Sequence, residues 1–248
     1  MTAFKKVPLS GHSLDGLIDS QFGSNIKLID LGSTRVSADE AQESIGICCG
    51  LSPEDVLEAA VVGKAQHVIQ EDSIELRKEI NVAALMLNEP QKFFSNPLKA
   101  ILDPTDELKQ QELSNIYYKE FSRLEEKYQI LEEVGHAISS VSRSNSFKSD
   151  VQAVVDELTT NAIFHSTDDL DQRKNYLENK TAKLFLAKDE SRLVICCRDP
   201  NGTLNINALL KRIQSCYTSE VAQKLNMGRG GGGIGSFLVH NMSISYFV

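Results

Sequence analysis

The chain has no tryptophan, few aromatic residues and no long apolar segment. Aromatic residues make up 6% of its 248 residues, whereas 41% are hydrophobic and 24% are charged, a composition typical of globular domains. No apolar run approaches the ~20 residues that cross a bilayer. The start at Met1–Lys6 leads into no signal-peptide core. We therefore predict a cytoplasmic protein with no membrane partner.

Excess positive charge and paired cysteine motifs are also missing. Lys and Arg number 26 against 34 Asp and Glu, which gives a formal net charge of −8. Because clustered Lys and Arg supply phosphate affinity, this balance argues against a general nucleic-acid binder. No Cys-x-x-Cys pair occurs, so we interpret the cysteines as buried, reduced thiols of a cytoplasmic protein. They are Cys48, Cys49, Cys196, Cys197 and Cys216.

Residues 1–104 are predicted to form a mostly helical regulatory or partner-binding module. A strand is expected over Asn25–Leu31, where apolar residues alternate. The capping box Ser37–Glu40 predicts a helix that runs to about Cys49. A third helix is expected over Ile74–Leu87, after which prolines break the pattern and suggest a linker.

A second helix of this module is expected after Ser52, with Pro53 at its first position. The turn Gly50–Ser52 before it has the look of a helix-turn-helix corner. The following helix carries acidic residues, including Glu54 and Glu58, which would repel phosphates. We therefore favour a partner-binding module over DNA recognition.

Residues 105–142 are predicted to form one long helix. Its apolar residues recur at steps of three and four with charged residues between them, over about three heptads. The pattern fits a coiled-coil or homodimer seam, and it equally fits a single helix packed on its own domain. The repeating positions are Tyr117, Phe121, Leu124, Tyr128, Leu131, Val134, Ile138 and Val141.

A row of polar residues organises the second half of the chain. Glu157, Asn161 and His165 are spaced four apart, so a helix over Val151–Ser166 would place them on one face. An apolar face of the same helix would pack against a sheet. A carboxylate, a carboxamide and an imidazole in one row can serve a hydroxyl, a metal ion and a phosphate. The alternative is an amphipathic helix whose polar face meets solvent.

Two further motifs follow the row. A hairpin is predicted from Ala182–Ala187 and Leu193–Cys197, and its second strand runs into the turn Asp199–Gly202. After a short helical stretch comes the glycine run Gly228–Gly235, which opens another helix. Such a run can present backbone N–H groups to a phosphate. Each motif alone is also consistent with an ordinary turn or a flexible loop.

The order of these motifs resembles the ATP-binding domain of the GHKL superfamily, which is shared by gyrase, heat-shock chaperones, histidine kinases and mismatch-repair ATPases. Glu157 to His165 resembles the N box, closest to the version in bacterial anti-sigma-factor serine kinases. Asp199–Gly202 stands for the first glycine box and Gly228–Gly235 for the second. The resemblance covers roughly residues 115–248.

The resemblance implies a role for each residue of these motifs. Asn161 would ligate Mg²⁺, Glu157 would orient or deprotonate an acceptor hydroxyl or water, and His165 would face the phosphates or the lid. Asp199 would accept a hydrogen bond from the adenine amino group, and Gly202 would give clearance. The phosphate-binding set would be Arg229, Gly230, Gly232, Gly233 and Gly235.

One motif departs from the family pattern. The first glycine box is usually Asp-x-Gly-x-Gly, but Asn201 and Thr203 replace its glycines and Gly202 stands between them. This departure is either a coherent variant or a loosened adenine pocket. It bears on nucleotide turnover more than on the fold.

We therefore predict an α+β protein. A two-layer α/β sandwich of the Bergerat ATP-binding type would span residues 143–248, preceded by the long helix and the helical module. The predicted function is an ATP- and Mg²⁺-binding protein kinase or anti-sigma-type switch. Its partner would be a protein of the sigma-factor, anti-anti-sigma or response-regulator type.

Two alternatives remain to this function. One is a non-catalytic nucleotide-binding or interaction module with a degenerate pocket. The other is a histidine-kinase or phosphotransfer relative that uses His136. Histidine kinases usually place an acid directly after that histidine, whereas Ala137 follows it here. We therefore interpret His136 as a surface residue.

Overall fold

The computed structural model shows an α+β protein whose chain forms two compact units. The first unit comprises Met1–Asn96 with Asp103–Glu107, and the second comprises Pro97–Leu102 with Leu108–Val248. The structure describes residues 26–30, 44–48, 51–61, 67–70, 76–103, 114–164, 174–202, 204–218, 234–243 and 245.

A parallel three-stranded sheet forms the centre of the first unit. Its strands β1 (Lys27–Asp30), β2 (Ser44–Cys48) and β3 (His67–Gln70) lie in that order. Every residue of β2 is buried, as expected for a central strand of a parallel sheet. The predicted strand near Asn25–Leu31 is confirmed by β1.

In the part of the first unit that the structure describes, three helices accompany this sheet. Helices α1 (Pro53–Val61) and α2 (Leu76–Asn88) pack on its strands, and α3 (Pro90–Ser95) packs on α2. Ser52 Oγ accepts a bond from the Asp55 backbone N–H at 3.1 Å, and Asp55 Oδ2 accepts one from the Ser52 N–H at 3.2 Å. This reciprocal cap confirms the predicted start of α1.

One prediction for the first unit is wrong. The segment predicted as a helix ending near Cys49 forms the strand β2. Ser44–Cys48 carries β-branched and small apolar residues that pair with strands on both sides. With a strand before Gly50, the helix-turn-helix corner lacks its first helix. The box Ser37–Glu40 lies outside the described residues.

The predicted linker after α2 is also wrong. Helix α3 follows almost directly, and α4 (Pro97–Leu102) follows α3. Both helices begin with proline, since the ring has no N–H to leave unpaired at that position and its φ suits a helix. Although α4 falls in the predicted N-terminal module, it belongs to the second unit.

An antiparallel three-stranded sheet forms the centre of the second unit. Its order is β4 (Ser114–Phe121), β5 (Ala182–Lys188) and β6 (Leu193–Arg198). Phe121 lies opposite Ala182 in the first pair. The hairpin of β5 and β6 was predicted from sequence and is confirmed.

Helices α5 (Lys127–Ser139) and α6 (Asn145–Phe164) cover one face of this sheet. Because side chains alternate along a strand, Leu184 and Leu186 of β5 face these helices. The helix predicted over Val151–Ser166 is confirmed by α6, which begins earlier, at Asn145. The buried core is Phe121, Ile130, Val134, Ile138, Val151, Val155, Ala162, Ile163, Leu177, Ala182, Leu184 and Leu186.

The predicted long helix over residues 105–142 is wrong. Its described part is the strand β4, a 3₁₀ turn over Leu124–Glu126, and the 13-residue helix α5. Tyr128 of the proposed seam is 75% exposed, which breaks the stripe. The apolar pattern misled because positions in the strand β4 and in the helix α5 happen to continue the same spacing of three and four residues. What makes β4 a strand is its pairing with β5, which lies far along the chain and leaves no local signal. His136 is exposed, as predicted.

Two helices complete the described part of the second unit. Helix α7 (Ile206–Thr218) packs against α8 (Ile234–Met242), and α8 packs against α6. Both were expected from the sequence. The sequence also predicts a strand over Ser243–Val248, which falls largely outside the described residues. Within the described ranges, no helix has the length and apolar character needed to cross a membrane.

Helix α4 docks on the opposite face of the sheet. Leu98 and Leu102 contact Ala187 there. Arg192 caps the helix: its Nη1 and Nη2 donate to the carbonyls of Ile101 and Leu102 at 3.2 and 2.7 Å. The same guanidinium pairs with Asp189, whose side chain is only 8% exposed. The β5–β6 turn and α4 therefore form one hydrogen-bonded unit.

We expect Arg192→Ala to release α4 while the rest of the second unit stays folded. The substitution removes charge-assisted bonds to two helix-terminal carbonyls, so amide exchange in Pro97–Leu102 should accelerate about tenfold or more. Hydrogen exchange followed by mass spectrometry measures this. Lys183→Met is the control, because the pair of Lys183 with Glu120 is much more exposed. An unchanged α4 in Arg192→Ala would contradict this account of the docking.

The acid stability of the second unit should depend on Asp189. Burial alone would raise the pKa of Asp189, but bonds from the Ser191 backbone and from Arg192 outweigh it and hold the pKa below its ordinary value of 3.8. A lowered pKa stabilises the fold above the unfolded value and loses this effect as the pH falls through the folded one. The stability difference between wild type and Asp189→Asn in urea should thus stay constant from about pH 7 to 5 and shrink below about pH 4.

Candidate functional site

Glu157 and Asn161 lie together on the polar face of α6. Asn161 Nδ2 donates to Glu157 Oε1 at 2.8 Å. Both residues are partly buried. Burial raises the pKa of Glu157 above its ordinary value and the Asp156 charge adds to this, while the bond from Asn161 and the charge of Lys127 act in the opposite direction. A carboxylate with a raised pKa is a better proton acceptor at neutral pH.

The start of α8 closes on this pair at Gly235. A Cβ atom at Gly235 would lie 1.7 Å from Oε2 and 2.0 Å from Cδ of Glu157. No residue with a side chain fits there unless the carboxylate moves. Gly235, the last residue of the glycine run, and Glu157 of the N-box-like row, some 70 residues apart in sequence, thus lie side by side.

Lys127, the first residue of α5, adds a positive charge beside the row. Its Nζ lies 2.7 Å from Asp156 Oδ1 and donates to Thr160 Oγ1 at 3.5 Å. Asp156 and Thr160 stand next to Glu157 and Asn161 along the helix. The polar face of α6 therefore carries two adjacent carboxylates, two neutral polar groups and one lysine set against them.

Asp199 follows the last residue of β6 and shapes its own turn. Its Oδ1 accepts a bond from the Asn201 backbone N–H at 2.8 Å. Gly202 has a φ of +62°, a left-handed conformation that glycine adopts without strain. A Cβ on Gly202 would meet nothing within 4 Å. Within the described residues, no hydrogen bond joins Asp199 to Glu157 or Asn161, although β6 packs against α6.

The remaining predicted site residues lie outside the part of the chain that the structure describes. These are His165, Arg229, Gly230, Gly232 and Gly233. Their assignment to a phosphate-binding set stays a prediction.

A groove of about 420 Å³ opens beside Lys127. Arg123, Lys127, Tyr128 and Tyr176 line it, together with neighbouring polar residues. One wall of the groove is the junction of the 3₁₀ turn with α5. The other is the antiparallel β-bridge between Arg123 and Tyr176. Glu157 and Asn161 are not part of the lining, so Lys127 links the groove to the polar face of α6.

The donor chemistry of Asn161 fits a magnesium ion held mainly by a nucleotide. Because Nδ2 bonds to Glu157, the amide oxygen is the atom left for a metal. Mg²⁺ commonly takes one or two protein ligands and completes its shell with phosphate oxygens and water. Across the described ranges, no cluster of three or more His, Cys, Asp or Glu residues could hold a metal alone.

Comparison with known proteins gives no relative. The chain matches no family model, and it has no match among curated proteins or solved structures. The resemblance to the GHKL superfamily therefore rests on the motifs themselves.

Sequence reasoning missed the contribution of Lys127. Its partner Asp156 lies in another helix, so no spacing rule connects the two. The adjacent acids at Asp156 and Glu157 could have signalled that a cation is needed, but not which one.

We expect Gly235→Ala to disturb the site without unfolding the protein. The methyl group would displace the Glu157 carboxylate and break its bond with Asn161, which should destabilise the second unit by about 1 kcal/mol. Urea unfolding followed by circular dichroism measures this cost.

A double-mutant cycle separates this clash from other effects. In a Glu157→Ala background the three atoms nearest to the added methyl are gone, and alanine favours a helix over glycine. There Gly235→Ala should be neutral or stabilising. Equal costs in both backgrounds would show that the contact between Gly235 and Glu157 has no energetic weight.

Proposed function

We propose that the second unit binds ATP with Mg²⁺ and that the protein is a regulatory protein kinase or anti-sigma-type switch. One observation carries the proposal: Gly235, which opens α8, abuts the Glu157 carboxylate of the Glu157–Asn161 pair. The resemblance requires its N box and second glycine box to meet in this way. A solvated polar face of α6 would not need a glycine against it.

The sheet and helices support the same proposal at the level of the fold. An antiparallel sheet with α5 and α6 on one face agrees with the helix-and-sheet layering of the Bergerat ATP-binding type. In this arrangement the polar row lies on the side of α6 away from the buried core. The nucleotide would lie between the row and the glycine-rich segment.

Each residue of the row has a chemical role in this proposal. Asn161 would hold Mg²⁺, which offsets phosphate charge when it is bound. Glu157 would accept the proton of the hydroxyl or water that attacks the terminal phosphate, a task that suits a carboxyl whose pKa is raised by burial. Asp199 would bind the adenine amino group, and Gly202 would leave room for the base.

The partner would be a protein of the sigma-factor, anti-anti-sigma or response-regulator type, in a cytoplasmic setting. A homodimer seam loses its basis, because α5 is too short for the predicted heptads. A phosphotransfer role of exposed His136 stays an alternative that the following Ala137 disfavours.

A second candidate function is an interaction module whose pocket no longer holds a nucleotide. The turn around Asp199 favours it, because the Asn201 N–H already occupies one carboxylate oxygen. Adenine would have to bind through the other oxygen or replace that bond.

Calorimetric titration of ATP into the full chain, with and without Mg²⁺, tests the proposal. We expect binding that is stronger with Mg²⁺, and Asn161→Ala should remove most of that difference by deleting the metal ligand. Gln152→Ala on the same helix is the matched control, because its side chain bonds the Leu131 carbonyl instead. Asp199→Ala should reduce the preference for ATP over GTP. No binding of ATP by the wild type would favour the interaction module.

A further inference from the structure

The face of α6 that would lie against the phosphates is negatively charged, which disfavours the binding of a nucleotide. Asp156 and Glu157 are adjacent carboxylates, and both would repel a triphosphate. Among the described residues, Lys127 is the cation placed against them, with Nζ at 2.7 Å from Asp156 and 3.5 Å from Thr160. A nucleotide that approaches this face therefore meets Lys127 together with the acids.

Asp156 can give up its ion pair with Lys127 at low cost. The Asp156 side chain is 45% exposed and that of Lys127 19%, and an ion pair that reaches solvent on one side contributes little to stability. Asp156 would regain water when the lysine leaves. Lys127 also lines the groove of about 420 Å³, which gives its flexible four-carbon stem open space on one side.

We propose that Lys127 binds the terminal phosphate of a nucleoside triphosphate held against α6, and that it leaves Asp156 to do so. This inference rests on the proposed function and adds that the site distinguishes a triphosphate from a diphosphate. An ammonium group forms a strong charge-assisted bond with phosphate. A diphosphate lacks the group that would draw Lys127 away from Asp156.

A purely structural role of Lys127 makes a different prediction. If the ion pair only ties α5 to α6, loss of either partner should have the same effect on the protein and on its ligands. If Lys127 is a phosphate ligand, loss of Asp156 frees the lysine, so the two substitutions should change ATP affinity in opposite directions.

Calorimetry on the full chain with MgATP and MgADP separates these roles. We expect Lys127→Met to weaken ATP about tenfold, the effect of one charge-assisted bond, and to change ADP affinity less than about twofold. Asp156→Asn should tighten ATP binding, and Lys127→Arg should keep the preference for ATP. Lys183→Met is the matched control, because Lys183 is also a partly exposed lysine paired with an acid, Glu120, at 3.0 Å.

Several outcomes would overturn the proposal. Equal loss of ATP and ADP affinity in Lys127→Met would do so, as would weaker ATP binding in Asp156→Asn. Should Lys127→Met fail to fold by its melting curve, the double variant Lys127→Met/Asp156→Asn is compared with Asp156→Asn. Loss of repulsion tightens ATP binding equally in both, so equal ATP affinities would overturn the role of Lys127. A wild type that binds neither nucleotide removes the proposed function as well, whereas one that binds ATP and ADP equally removes only the role of Lys127.

Discussion

The pairing of β4 with β5 is the constraint on which the second unit depends. The register that places Phe121 opposite Ala182 fixes where the chain leaves the sheet and enters α5. Glu133 of α5 accepts bonds from Tyr117 and Lys119 of β4 at 2.7 and 3.1 Å. Because α5 is anchored to its own strand in this way, its first residue, Lys127, is held at a defined position beside α6.

Local signals predicted much of this architecture. The cap at Ser52 located the start of α1, and the turn after Lys188 located the β5–β6 hairpin. The polar row and apolar face of α6 followed from helical spacing alone. In each case the residues whose interactions form the element are close together in sequence. A local sequence pattern can therefore predict the element.

The strands β2 and β4 were missed for the opposite reason. Each is stabilised by neighbours from distant parts of the chain, and Tyr117 and Phe121 happen to stand at a helical spacing. Local propensity is a weak guide when strand pairing decides the outcome. The same limit applies to the site: the Glu157–Asn161 pair was visible in the sequence, whereas the Lys127–Asp156 pair depends on how α5 meets α6.

The site combines crowding on one side with exchangeable contacts on the other. Gly235 leaves no room for a side chain beside the Glu157 carboxylate, so the two elements approach closely there. Toward Lys127, partly exposed charges can change partners at little cost. A pocket built in this way could hold one group in place while another moves with the ligand.

The docking of α4 has a consequence for dividing the chain. This helix stands before residue 105 in the sequence, yet its apolar side chains cover Ala187, and Phe185, Val194 and Cys196 pack against the same cluster. A fragment that began after α4 would expose this patch to water and leave the guanidinium of Arg192 without its two carbonyl acceptors. Such a patch promotes aggregation. A fragment of the second unit meant to fold alone should therefore begin no later than Pro97.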